Sequence, residues 1–185
     1  MSAALAPAPA TLDDLARVDG KAELIGGVVV PLMATGHRPG LVALRIARRL
    51  DDYSEAAGGF AYGDNVGFAV PELSTGRESF SPDAAYYAGP APADAMRFVS
   101  GPPSFAAEVR SEGDYGPAAE AAMAGKRAEY FEAGTLVVWD ADPVAGVVRV
   151  YRPGGAPPDV FGAGAEADAE PAVPGWRVAI DWLMR

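Results

Sequence analysis

Apolar positions along the chain carry two periods, separated by clusters of glycine and proline. Val42, Ile46, Leu50 and Tyr53 recur at helical spacing and predict a helix over about residues 40–56 with one buried stripe. A second helix is predicted over roughly 116–133, with Met123, Arg127, Tyr130 and Phe131 along adjoining faces. Gly58-Gly59 and Gly134 stand where these helices should end. Thr11 opens a short first helix: its hydroxyl can cap, and Asp13 and Asp14 suit the positive end of the helix dipole.

Shorter apolar runs read as strands. Lys21–Ile25 and Val28–Leu32 flank Gly26-Gly27 as a β-hairpin. Phe60–Val70 gives one or two short strands, Phe80–Tyr87 another, and Ser104–Val109, Leu136–Asp140 and Val147–Tyr151 three more. A weak strand is expected at Asp159–Gly162, and a short strand with a terminal helical turn near Val173–Leu183. Pro71–Arg77 and residues 88–103 read as loops, with room for a helical turn over Ala91–Phe98.

Polar residues that interrupt this pattern are the chemical candidates. Asp83 opens one strand, Glu108 lies inside another, and Lys126 sits on the helix beside Tyr130 and Phe131. A carboxylate in a mostly apolar strand is costly to bury unpaired, so it must be paired, bind a metal or face a cavity. Two carboxylates from adjacent strands make a seat for Mg²⁺, which takes a few carboxylates plus water and a substrate phosphate. A nearby lysine can hold water or neutralise developing charge. In the competing reading, Glu108 pairs with Arg110 or Lys126 and only supports the structure; spacing alone favours it. Trp139, Tyr130 and Phe131 read as core.

Composition narrows these options. With 185 residues, half of them hydrophobic, the chain suits one domain over residues 11–185. Residues 1–10, small and Pro-rich, read as a flexible tail without the features of a signal peptide. The expected location is cytoplasmic, with no membrane partner, since no run is long and apolar enough to span a bilayer. There is no cysteine and a single histidine, His37, so any metal site must be built from oxygen and suits Mg²⁺, Mn²⁺ or Ca²⁺. A formal charge of −10 argues against broad electrostatic capture of nucleic acid. Arg45, Arg48 and Arg49 form the densest basic cluster, read first as a solvated helix face and second as a phosphate-facing patch. No GxGxxG, P-loop or GxSxG pattern is present.

Several landmarks stand in one order: Glu23-Leu24-Ile25 before a Gly turn, His37 before a helix, Pro82-Asp83-Ala84-Ala85-Tyr86, Glu108-Val109 before Ser111, and Lys126 with Glu129-Tyr130 and Gly134. Val138-Trp139-Asp140, Val150-Tyr151-Arg152-Pro153 and Pro174-Gly175-Trp176 follow. This order resembles the Uma-type putative restriction endonuclease family of the PD-(D/E)XK nuclease superfamily, over about residues 11 to 183. The resemblance implies an α/β (mixed α+β) fold, with a restriction-endonuclease-like central mixed sheet flanked by helices and an N-terminal hairpin. It implies Mg²⁺- or Mn²⁺-dependent hydrolysis of DNA phosphodiesters. By the same resemblance Asp83 and Glu108 are the metal-binding acids, Glu23 completes the site, and Lys126 is the catalytic cation moved to the following helix. His37 matches a polar position at the second helix. Two positions after Glu108, where the superfamily carries lysine, stands Arg110. It is always protonated, so it can bind phosphate but cannot act as a base. His37, Arg38, Arg45 and Arg110 are the expected substrate contacts, with Arg49 as a further backbone contact. The alternatives are a catalytically weak or inactive nuclease fold kept as a binding or assembly module, with a homodimer in view, and hydrolysis of a small phosphorylated metabolite.

Overall fold

A computed structural model of the chain describes residues 8–185. The tail expected over residues 1–10 lies mostly outside the described residues. Ala10 already belongs to the fold, because its amide donates to Gly27 O at 2.8 Å.

Helix α1 (Leu12–Leu15) starts at Thr11, which forms a capping box with Asp14. Strands β1 (Ala22–Ile25) and β2 (Val28–Pro31) make the predicted hairpin. Gly26 and Gly27 both take positive φ, 57° and 70°, as a two-residue turn matched to strand twist requires. Helix α2 (His37–Ala57) begins three residues earlier than its periodicity predicts. Pro39 is tolerated in the first turn because its missing N–H has no intrahelical partner there.

The next strands are β3 (Phe60–Tyr62), β4 (Phe68–Ala69), β5 (Ser79–Phe80) and β6 (Ala84–Tyr87). The single strand expected over Phe80–Tyr87 is thus two, broken at Ser81-Pro82-Asp83, where Pro82 cannot donate to a ladder. Strand β7 (Val99–Ser100) pairs with β4 inside a segment expected to be loop, and a single hydrogen-bonded turn, Arg97 N to Asp94 O at 3.2 Å, forms within Ala91–Phe98. Strand β8 (Phe105–Val109), helix α3 (Pro117–Ala133) and strand β9 (Val137–Asp142) follow. The chain then adds β10 (Val147–Tyr151), β11 (Asp159–Phe161), β12 (Glu166–Asp168), β13 (Arg177–Ala179) and helix α4 (Ile180–Met184).

The central sheet has six strands in the order β11-β10-β9-β8-β6-β3. It is mixed: β8 and β9 run parallel, and the other neighbours are antiparallel. Parallel neighbours need a crossover, and α3 supplies it. Side chains of α2 and α4 share one core with Phe105, Ala107, Val109 and Trp139, while Tyr130 of α3 shares a second with Ala106 and Val138. Helices therefore cover both faces of the sheet. Trp139 anchors the first core, with Phe105 at 5.2 Å and Trp176 at 5.0 Å between ring centres, and its indole N–H donates to Asp168 O at 2.8 Å.

Candidate active site

Alternation along β8 sends Phe105, Ala107 and Val109 toward α2, and sends Ala106 and Glu108 toward α3. Strand register then aligns a row of charged residues across the sheet. Glu108 lies opposite Asp140 on β9. On the other side Ala84 lies opposite Ala107, so one further step of the register brings Asp83 beside Glu108. The Asp83 amide donates to Ala107 O at 3.1 Å.

Helix α3 meets this row with Lys126 and Tyr130. Pro117 fits the first turn of the helix, and Gly134 closes it at φ 107°, a conformation costly for residues with a Cβ. Residues four apart share a helix face. Lys126 Nζ lies 2.9 Å from Glu108 Oε1 and 3.0 Å from Glu23 Oε1. The Tyr130 hydroxyl donates to the same Glu108 oxygen at 2.6 Å. Glu23 is buried in β1 and also accepts from Ser81 N at 3.0 Å. Its other oxygen meets Arg77 Nη1 at 2.5 Å, and Arg77 Nε reaches Glu129 at 2.6 Å. Thr75 donates to the second Glu129 oxygen at 2.6 Å. Five charges of alternating sign, Glu129, Arg77, Glu23, Lys126 and Glu108, therefore link the hairpin, α3 and the central sheet.

Asp83 is held separately. Its Oδ1 lies 2.8 Å from Lys21 Nζ, and its Oδ2 accepts from Val109 N at 2.8 Å. Lys21 also contacts Asp64 at 2.6 Å. Asp83 opens on a cavity of about 140 Å³ beneath the first turns of α2, lined also by Thr35, Gly40, Asp64 and Val109.

Burial and neighbouring charge set the protonation states. Burial pushes the Glu108 carboxyl up; Lys126 opposes this, while Asp83 and Glu23 add to it, and the net shift is upward. Burial also penalises the Lys126 ammonium, but Glu108 and Glu23 outweigh that penalty and raise its pKa above the usual 10.5. Lys126 is therefore a fixed cation at neutral pH and not a base. Glu23 is lowered, because Lys126 and Arg77 overcome its burial. Tyr130 is raised by burial and then by Glu108 and Glu23, so its phenol stays protonated and donates.

An oxygen-rich donor set of this kind suits a hard divalent ion. Glu108 Oε2 has no hydrogen-bond donor among the described residues, and the Asp83 and Glu108 side chains are 22% and 27% exposed. Mg²⁺ takes one or two carboxylates and keeps several waters, which matches two reachable acids. Among the described residues, no group of three or more His, Cys, Asp or Glu forms an all-protein metal cage. Asp83 and Glu108, neighbours in the register, are partly exposed carboxylates of the donor type that Mg²⁺ takes.

A family model described as Uma2, putative restriction endonuclease, matches residues 9–181. The chain belongs to the Uma2 family. Its fold is similar to the crystal structure of a putative nuclease belonging to DUF820 from Anabaena variabilis ATCC 29413. That chain is 17% identical, with a TM-score of 0.74 and coverage of 95% of this chain and 98% of that one. No curated protein matches.

In this Uma2-family chain three of the four residues expected to be catalytic, Glu23, Glu108 and Lys126, meet; Asp83 lies beside Glu108 in the register but is held by Lys21 and Val109 N, and the four expected to bind substrate do not join them. Arg110 is corrected outright. It is buried, its Nε and Nη2 fork onto Asp140 at 2.6 Å each, and Nη1 contacts Glu120. These carboxylates hold its pKa far up and leave it no free edge for phosphate. Arg45 is corrected too, since its Nη1 donates to Leu183 O at 3.0 Å and to Arg185 O, docking α4 on α2. Arg38 reaches Met184 O at 3.4 Å. His37 is the exposed first residue of α2 and does not line the Asp83 cavity.

Three participants were not singled out by the sequence. Lys21 lies two residues before Glu23, a strand spacing that puts both on one face, and that signal was available. Tyr130, expected in the core, is fully buried, yet its hydroxyl donates to Glu108; its i+4 spacing from Lys126 is the clue. Arg77 ends a loop, and no local pattern marked it.

Proposed function

We propose that this Uma2-family chain is a metal-dependent nuclease that hydrolyses phosphodiester bonds in DNA. Asp83 and Glu108 would hold Mg²⁺ or Mn²⁺. When bound, such an ion supplies Lewis acidity toward water and a phosphoryl oxygen. Lys126 offers a permanent ammonium for phosphate oxygens, where negative charge builds during the displacement. Glu23 and Glu108 fix that ammonium in place, and Arg77 fixes Glu23. Glu108 Oε2, free of protein donors, can accept a hydrogen bond from water.

The observation that carries this reading is the meeting of Lys126 with Glu108 and Glu23, across three separate parts of the chain, beside Asp83. Family membership supports it. The test is cleavage of plasmid and oligonucleotide DNA with Mg²⁺ or Mn²⁺, in the parent chain and in Asp83→Ala and Glu108→Ala. Both variants should lose cleavage. Cleavage that survives both changes rules this site out.

A further inference from the structure

The chain carries 15 Lys and Arg against 25 Asp and Glu, so most cations find a carboxylate close by. Five make no ion pair among the described residues; Arg38 and Arg45 donate to backbone oxygens instead, whereas Arg48, Arg177 and Arg185 have neither an ion pair nor a side-chain hydrogen bond there. All three line one cavity of about 360 Å³, together with Arg49 and Trp182. Two carboxylates also reach it. Asp52 stands 3.7 Å from Arg49, and Glu166 makes no ion pair among the described residues. Four guanidiniums against two acids make a local positive surplus on a chain whose formal charge is −10.

Trp182 gives this cluster order. The Arg49 and Arg185 guanidiniums lie over its ring, 5.5 and 5.7 Å from the centre. Cation–π contact holds a guanidinium by its face and leaves its N–H edge free to donate. Guanidinium edges match the oxygens of a phosphate in paired hydrogen bonds. The walls come from α2, β12–β13 and α4. This cavity shares no lining residue with the one that Asp83 opens on, and none with the Glu23, Lys126 and Glu108 network, so it is separate from the carboxylate site.

We infer that the cavity between α2, β13 and α4 binds a phosphate group through Arg48, Arg49 and Arg177, apart from the carboxylate site. Two sources share this chemistry, a nucleic-acid backbone and a small phosphate or pyrophosphate.

The full chain is titrated by calorimetry at low salt with inorganic phosphate, with pyrophosphate and with a short DNA duplex. The variants are the double change Arg48→Ala and Arg177→Ala, the single Arg48→Glu, and Arg17→Ala as a charge-matched control outside both sites. Both cavity arginines are exposed, and circular dichroism checks that the variants keep the fold. At least one probe should bind the parent chain, weaken by about tenfold or more in the cavity variants, and bind Arg17→Ala unchanged. Binding of the duplex alone assigns a backbone source; binding of phosphate or pyrophosphate assigns a small anion. The inference is overturned if no probe binds, if the cavity changes leave affinity unaltered, or if Arg17→Ala weakens binding equally. The DNA-cleavage test of the carboxylate site can fail without affecting this result, and the reverse also holds.

Discussion

Lys126 and Tyr130 stand one turn apart on α3 and converge on a single oxygen, Glu108 Oε1, at 2.9 and 2.6 Å. One donor is a fixed cation and the other a neutral phenol. The bond from Tyr130 favours the charged form of Glu108, against its burial. Tyr130→Phe keeps the ring stacked on Phe80, 4.1 Å away, and removes only the hydroxyl. We expect the Glu108 carboxyl to move further up and stability to fall by about 1.5–3 kcal/mol, the range for hydrogen bonds to charged groups. Urea unfolding checks the second point and carboxyl NMR titration the first. Unchanged values for both would show the bond contributes nothing.

Arg77 tests the buried part of the network. It serves Glu23 and Glu129 at once, and its side chain is 7% exposed. Arg77→Ala leaves two carboxylates short of a cation in a poorly solvated place, which costs about 3–5 kcal/mol. Arg77→Lys should recover only part of this, because a point ammonium cannot reproduce a planar fork reaching two acids. Urea midpoints of the three chains decide it; equal midpoints for the arginine and lysine forms would contradict the fork.

Apolar spacing locates α2 and α3, because it reports which face is buried; the Thr11 cap locates α1, and apolar runs between Gly and Pro locate most strands. Helix α3 and strand β10 fall within a residue of expectation. Short strands such as β7 and β12 were missed: two or three residues carry no usable period, and long-range pairing creates them. The site divides the same way. Glu108 stands out as a charge in an apolar strand, whereas Lys126, next to Arg127, stands out only through its place between Glu108 and Trp139 and the family resemblance. The roles of Arg45 and Arg110 were not, because whether a guanidinium faces phosphate or a buried acid depends on partners such as Asp140, thirty residues away. Arg127 likewise lies 3.7 Å from Asp140 and over the Tyr151 ring, contacts that helix periodicity cannot forecast.

Stability should depend on pH in a defined way. Glu23 is lowered below its ordinary 4.5, so its contribution is present above 4.5 and is lost as pH falls further. Glu108 is raised and acts oppositely: it costs stability as pH climbs from 4.5 through its folded value. Lys126 is raised above 10.5, so its contribution is complete below 10.5 and disappears as pH rises through the folded value. Tyr130, raised above 10, also lowers stability in that alkaline range, when the unfolded phenol ionises first. In Lys126→Met the alkaline loss should shrink to the part that Lys21 and the raised tyrosines, Tyr62, Tyr86, Tyr115 and Tyr130, supply. Glu108, without its cation, should then cost more between 4.5 and neutrality. Urea midpoints across pH check both limbs; superimposable profiles would mean Lys126 is not coupled to Glu108.

Lys21 holds Asp83 Oδ1 at 2.8 Å, on the carboxylate offered as a metal ligand. Burial disfavours its ammonium, but Asp83 and Asp64 outweigh that and raise its pKa, so it remains charged at neutral pH. A divalent ion approaching Asp83 must therefore compete with an ammonium already in place. Removing that competitor in Lys21→Ala should tighten Mn²⁺ binding. The pair is only partly screened, with side-chain exposures of 15% and 22%. An ion pair worth about 1 kcal/mol corresponds to roughly fivefold in affinity. Asp83→Asn should instead abolish binding, and the double variant should bind no better than Asp83→Asn alone. Calorimetric titration of the four chains with Mn²⁺ measures this directly. Weaker binding in Lys21→Ala would show that Lys21 orients Asp83 for the ion and does not compete with it.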